Sequence, residues 1–189
     1  MRQMSGPSTI YYERNLPHWH PEAAPLFLTW RLHDSLPVTV LKALHESHGS
    51  EPGKEFLRFD RHLDGAGFGP TWLKDAEIAK VVTNAFEAVV RDEMCQLHAY
   101  VVMPNHVHIL LESKMELRKV TRTIKGRSAR QCNQLLKRVG LPFWQRESYD
   151  HWVRGPESFE KIRGYIERNP VSAGLVKNPE DWEWSSAHK

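Results

Sequence analysis

The chain has 189 residues, 40% of them hydrophobic and 26% charged, with a formal net charge of +3. This suits one globular domain with a sizeable core and excludes the low-hydrophobicity, high-charge signature of a disordered chain. No apolar run approaches the roughly 18 residues a membrane-spanning helix needs. The N-terminal stretch has no apolar leader pattern, and the two cysteines form no CxxC pair, so a reducing, cytoplasmic setting is expected.

Charge is unevenly spread. Residues 1–113 carry 10 Lys/Arg against 14 Asp/Glu, and residues 114–189 carry 16 against 9. Residues 114–138 alone hold nine basic side chains and one acidic. Such packing of charge points to a polyanion partner or to a solvated helix face.

In chain order, residues 1–25 are rich in Pro and aromatics and read as an extended arm. The rest, 26–189, reads as a single domain. Pro25 to Leu32 has strand character, with Pro at its start. Leu36 to His48 has helical apolar spacing. Residues 49–71 hold five glycines and two prolines and read as a loop insertion. Lys74 to Glu93 is an amphipathic helix, with Ile78, Val82, Phe86 and Val89 on its apolar stripe.

Cys95 to Met103 and His106 to Glu112 are two strands joined at Pro104-Asn105, an expected antiparallel hairpin. The period of 2 puts His106, His108, Leu110 and Glu112 on one face, and Val107, Ile109 and Leu111 on the other, the expected core face. Leu117 to Val139 is an amphipathic helix carrying most of the basic residues, stopped by Gly140. Phe143 to Arg154 is aromatic and strand-like. A helix from Phe159 to about Arg168 is capped by Ser158 and ended by Asn169-Pro170. The tail, through Trp182 and Trp184, folds back on the domain.

Three sets of residues bear chemistry. His106 and His108, at i and i+2 on a strand, can both reach one metal ion, although two histidines so spaced also arise by chance in a chain with 11 of them. A second such pair, His18 and His20, lies between prolines and reads as structural or incidental. Tyr165 and Asn169, one helical turn apart, share a helix face. That is either a boundary tyrosine or a nucleophile with a metal-binding amide beside it, and a phenol with a pKa near 10 needs a cation or base to attack phosphate. Lys119, Arg122, Lys125, Arg127 and Arg130 on the basic helix, with Gln145 and Arg146 on the aromatic segment, are the expected contacts to single-stranded or distorted nucleic acid. A histidine-triad hydrolase would want a third alternating histidine, and Leu110 stands there.

Taken together, Val101-Val-Met-Pro-Asn-His-Val-His-Ile-Leu110, Phe143-Trp-Gln-Arg-Glu-Ser-Tyr149 and Tyr165-Ile-Glu-Arg-Asn-Pro-Val-Ser-Ala-Gly-Leu-Val176 resemble the REP-associated tyrosine transposases. That family is in the single-tyrosine branch of the HUH nucleases, and the resemblance covers residues 26–187. It implies an α+β, ferredoxin-like (RRM-like) antiparallel sheet with helices packed on one face, the HUH endonuclease fold. It implies a divalent cation, Mg2+ or Mn2+, on His106 and His108 with Asn169 as third ligand, and Tyr165 as nucleophile. The implied activity is metal-dependent cleavage and strand transfer on single-stranded or hairpin DNA from palindromic repeats, through a 5′-phosphotyrosine. The implied state is a monomer or homodimer associated with the nucleoid. A hairpin-DNA-binding protein that keeps the fold without turnover is the alternative.

Overall fold

The computed structural model describes residues 10–14, 16–20, 24–40, 52–65 and 67–188, with backbone alone for 10–14, 16–20 and 52–55. Its elements run β1 (Ile10–Arg14), β2 (Leu16–His20), β3 (Pro25–Arg31), α1 (Pro52–Asp64), α2 (Ala76–Arg91), β4 (Cys95–Val102), β5 (His106–Ser113), α3 (Leu117–Leu135), β6 (Tyr149–Trp152) and α4 (Gly155–Ser172). Short 3-10 turns sit at Trp72–Lys74 and Pro179–Asp181. No described helix is long and apolar enough to cross a membrane.

The main sheet has four strands in the order β4-β5-β3-β6, all antiparallel. Its frame, β3-α2-β4-β5-α3-β6, is the βαββαβ order of a ferredoxin-like domain. The predicted α+β class and antiparallel sheet are what the structure has. Side chains alternate across the sheet. Leu26, Leu28, Trp30, Val107, Ile109 and Leu111 face α2 and α3 in the larger core. Phe27, Val101 and Leu110 face the other way, into a second core with Phe56 of α1 and Ile166 of α4. The helices therefore do not stay on one face: α2 and α3 cover the first, α1 and α4 the second. The central strands demand this, because β5 is buried on both sides from His106 to Leu111.

Several boundaries differ from the sequence reading. The expected loop at 49–71 contains α1, whose Phe56, Asp60 and Leu63 point inward and are buried. Its high Gly and Pro content falls at the ends, with Pro52 in the first turn, where no N–H is missed. Of the helix expected over Leu36 to His48, a turn at 38–40 is described and the rest lies outside the described residues. The histidines at 18 and 20 fall within β2, with side chains outside the described residues.

α3 ends at Leu135 rather than Val139, because Lys137 and then Gly140 take positive φ (54° and 87°). Val139 is consequently 75% exposed instead of completing the apolar stripe. In the aromatic segment, ladder pairing is limited to Tyr149–Trp152 and a bridge from Trp144 to Leu32.

α4 is longer than expected at both ends. Gly155-Pro156 opens it, and Pro170 sits inside it, so the stop is Gly174 at φ 70°. α2 begins at Ala76 rather than Lys74, because Asp75 caps it, accepting from the amides of Glu77 (2.8 Å) and Ile78 (3.3 Å). The tail lies along the open edge of β4, Val102 N–H donating to Trp184 O (2.8 Å) and Ser186 N–H to Tyr100 O (2.9 Å). It thus protects that edge.

Candidate metal centre and tyrosine

The Pro104-Asn105 turn starts β5 so that His106 and His108 project into the second core, between the sheet and α1 and α4. Both are fully buried. His106 Nδ1 lies 2.7 Å from Asn105 Oδ1. Asn105 donates its own amide to Leu63 O at 3.0 Å, which fixes its oxygen toward the imidazole. The network thus assigns the His106 proton to Nδ1 and leaves Nε2 with a free lone pair. His108 Nδ1 lies 2.7 Å from the Thr29 hydroxyl, on the neighbouring strand. The two Nε2 atoms face each other at 3.0 Å.

α1 brings two carboxylates to the same place. Asp60 Oδ1 is 3.2 Å from His108 Nε2 and 3.7 Å from His106 Nε2. Asp64 Oδ1 is 3.8 Å from His106 Nε2. Asp60, His106 and His108 are all buried and offer ligand atoms within 4.8 Å of one another. Sequence reasoning missed both aspartates because it read their segment as loop. The available signal was Phe56, Phe59 and Leu63 at helical spacing, with Asp60 and Asp64 one turn apart on the same face.

Electrostatics follow from this crowding. Burial alone would raise the Asp60 pKa, but His108 and His106, with a hydrogen bond from Asn169, hold it below the usual carboxylate value. Burial and the charge of Asp60 push Asp64 up to about 7. Burial and the neighbouring His108 push His106 down to about 3, so it is neutral at physiological pH.

Tyr165 and Asn169 of α4 meet at Asp60. The Tyr165 hydroxyl donates to Asp60 Oδ2, as does the Asn169 amide at 3.4 Å. The Tyr165 ring lies 5.7 Å from the His108 ring and 6.1 Å from Phe56, centroid to centroid. The structure thus brings four of the expected residues, His106, His108, Tyr165 and Asn169, into one cluster within one chain. In this arrangement Asn169 turns its amide nitrogen toward Asp60.

The donor set fits a divalent cation. Asp60 Oδ1, Asp64 Oδ1 and Asn169 Oδ1 are buried without a hydrogen-bond partner, a costly state for acceptors, and the two aspartate oxygens lie 3.2–3.8 Å from imidazole nitrogens. Among the described residues, neither aspartate forms an ion pair with Lys or Arg.

The expected DNA contacts divide. A groove of about 680 Å³ runs between α3 and residues 141–150. It is lined by Arg118, Arg122, Lys125, Gln145 and Arg146, together with Glu147 and Asp150. It opens over Leu28, so it lies on the sheet face opposite the histidines. Lys125 is half-buried there and donates to Gln145 O (2.7 Å), Arg146 O (3.1 Å) and Ser148 Oγ (3.2 Å), pinning the loop to α3. Lys119, Arg127 and Arg130 line no part of the groove. Arg127 pairs with Asp92 at the end of α2, at 2.8 Å.

Residues 71–169 match the family described as transposase IS200 like, and the chain belongs to that family. It also resembles the REP-associated tyrosine transposase of Escherichia coli (strain K12), at 30% identity over 113 residues, 58% of this chain and 65% of that protein. The aligned region thus spans less than two thirds of that relative's length. The fold resembles the solved structure of a REP-associated tyrosine transposase bound to a REP hairpin, with a TM-score of 0.62 at 20% identity, over 93% of this chain and 84% of that one.

Proposed function

We propose that this chain is a divalent-cation-dependent DNA nickase and strand transferase. In this reading Tyr165 attacks a phosphodiester of single-stranded DNA beside a hairpin. The carrying observation is the placement of Asp60, one oxygen accepting from the Tyr165 hydroxyl and the other facing His106 and His108. His106, His108 and Asp60 would hold Mg2+ or Mn2+, which, when bound, polarises the scissile phosphate and offsets its developing charge.

The remaining work falls to the chain. Asn105 and Thr29 orient the imidazoles from behind. Phe27, Phe56 and Ile166 exclude water from the cluster. Asp60 Oδ2 aims the Tyr165 oxygen and accepts its proton as the Tyr165 O–P bond forms. The P–O3′ bond breaks in line, and the departing oxygen takes up a proton to become a 3′-hydroxyl. The 5′-phosphotyrosine retains the bond energy, so rejoining to another 3′-hydroxyl needs no nucleotide cofactor.

The basic groove on the opposite sheet face is suited to the sugar–phosphate backbone of the hairpin. Membership in the transposase family and the hairpin complex of the structural relative support hairpin DNA as partner.

The test is a denaturing gel with labelled hairpin DNA bearing single-stranded flanks, with Mn2+ or EDTA. An Mn2+-dependent, denaturation-resistant adduct that vanishes in Tyr165→Phe is expected. Tight binding without any adduct would move the assignment to a non-catalytic hairpin-binding protein.

A further inference from the structure

Building on the cation site just proposed, we infer that Asp64 is a further ligand, so that the centre presents two imidazoles and two carboxylates. Asp64 follows Asp60 by four residues on α1, about 40° around the helix axis, and so faces the same point. Its Oδ1 is buried and accepts no hydrogen bond, although the side chain as a whole is 20% exposed. It is not alone in this. Asp60 Oδ1, on a side chain only 2% exposed, is equally without a donor and is aimed at the same two imidazoles. Two donors of one ion, each about 2.1 Å from it, stand about 3 to 4 Å apart. Asp60, His106 and His108 match this, with 3.0 Å between the imidazoles and 3.2 and 3.7 Å from Asp60, and Asp64 joins the set through His106, at 3.8 Å.

Charge supports the same set. Two carboxylates crowd this pocket, and the Oδ1 atom of each is buried without a hydrogen-bond partner. Among the described residues no Lys or Arg pairs with either. A divalent cation supplies the missing positive charge. Two anionic oxygens match its charge, while two imidazole nitrogens favour Mn2+ over Mg2+ in a mixed nitrogen–oxygen set. Asp64, like Asp60, lies on α1, outside residues 71–169, the stretch that matches the transposase family.

Mn2+ binding to the full chain, followed by the loss of the free-ion electron paramagnetic resonance signal, tests this without turnover. The wild type should bind one Mn2+ more tightly than Mg2+ competes for it. Asp64→Asn should weaken Mn2+ roughly 10- to 100-fold, with thermal unfolding of the metal-free protein unchanged or raised. Asp64→Ala should do the same, separating loss of the ligand from any effect of the new amide. Equal Mn2+ affinity in wild type and both variants, with His106→Ala abolishing binding, overturns the role of Asp64 and leaves the histidine site standing. Absence of Mn2+ binding by the wild type overturns the cation site itself and the Asp64 role with it.

Discussion

On one face of the sheet, α2 and α3 cover Leu26, Leu28, Trp30, Val107, Ile109 and Leu111. On the other, α1 and α4 cover the same strands, but the buried set there includes Thr29, His106, His108, Asp60 and Asn169. Both faces exclude water. The first does so with side chains whose burial favours folding, at roughly 25 cal/mol per Å² of apolar surface. The second buries polar groups whose desolvation is offset only in part, since three acceptors there find no donor. Apolar packing and the buried polar cluster are thus divided between opposite sides of single strands, and alternate residues of β5 serve one or the other.

Substitutions can break that division. The largest effect is expected from Tyr165→Phe, which should eliminate the covalent DNA adduct while leaving hairpin affinity within about twofold by filter binding. His108→Ala should abolish Mn2+ binding yet cost less folding free energy than Ile109→Ala, its neighbour on the opposite face. The latter should lose about 2–5 kcal/mol in denaturant unfolding while its folded fraction still binds Mn2+. If the two truncations destabilise equally, the contrast between the faces fails.

pH sharpens the comparison further. In the metal-free protein Asp64 is raised to about 7 from 3.8. Its contribution is therefore present below pH 3.8 and lost as pH rises through 7. His106 is lowered to about 3 from 6.5, so its contribution is present above pH 6.5 and lost as pH falls toward 3. The two slopes oppose each other in between. Asp64→Asn removes one of them. Its stability should rise with pH from about 4 to 6.5, by at most about 1.4 kcal/mol for each pH unit, and exceed that of the wild type at pH 8 by a few kcal/mol at most. Chemical denaturation of the EDTA-treated proteins across that range measures both.

The smallest effect is expected in the basic groove. Arg118→Gln with Arg122→Gln should lower the salt slope of hairpin binding by about 1.8. Lys125→Met should act differently, loosening residues 145–148 through the loss of its bonds to two carbonyls.

Much of this was legible in the sequence where periodicity was clean. The hairpin with its two histidines, the amphipathic α2, and the shared face of Tyr165 and Asn169 all follow from spacings of two and four residues. α1 was not legible in that way. Its glycines and prolines lie in and around its first turn and beyond its end, and two of its inward positions are aspartates, so the apolar stripe is interrupted at the residues that matter. Helix ends misled for a related reason. Pro156 lies where a missing N–H costs nothing, and Pro170 is carried by a helix held on both sides of it by packing. The roles of the basic residues depend on which side of α3 each occupies, and composition is blind to that.

The place of α1 in the chain has a consequence for how such an activity is gained or lost. It is inserted between β3 and α2, two consecutive elements of the ferredoxin-like frame, and it carries both carboxylates while the frame and α4 carry the histidines and the tyrosine. The residues of the proposed site are therefore divided between an insertion and the frame. A single in-frame deletion between β3 and α2 would strip out both acidic residues and leave every strand of the sheet encoded. The same boundary offers a graft point, at which an acidic helix fitted to a related frame would install a carboxylate-rich centre beside an existing histidine pair.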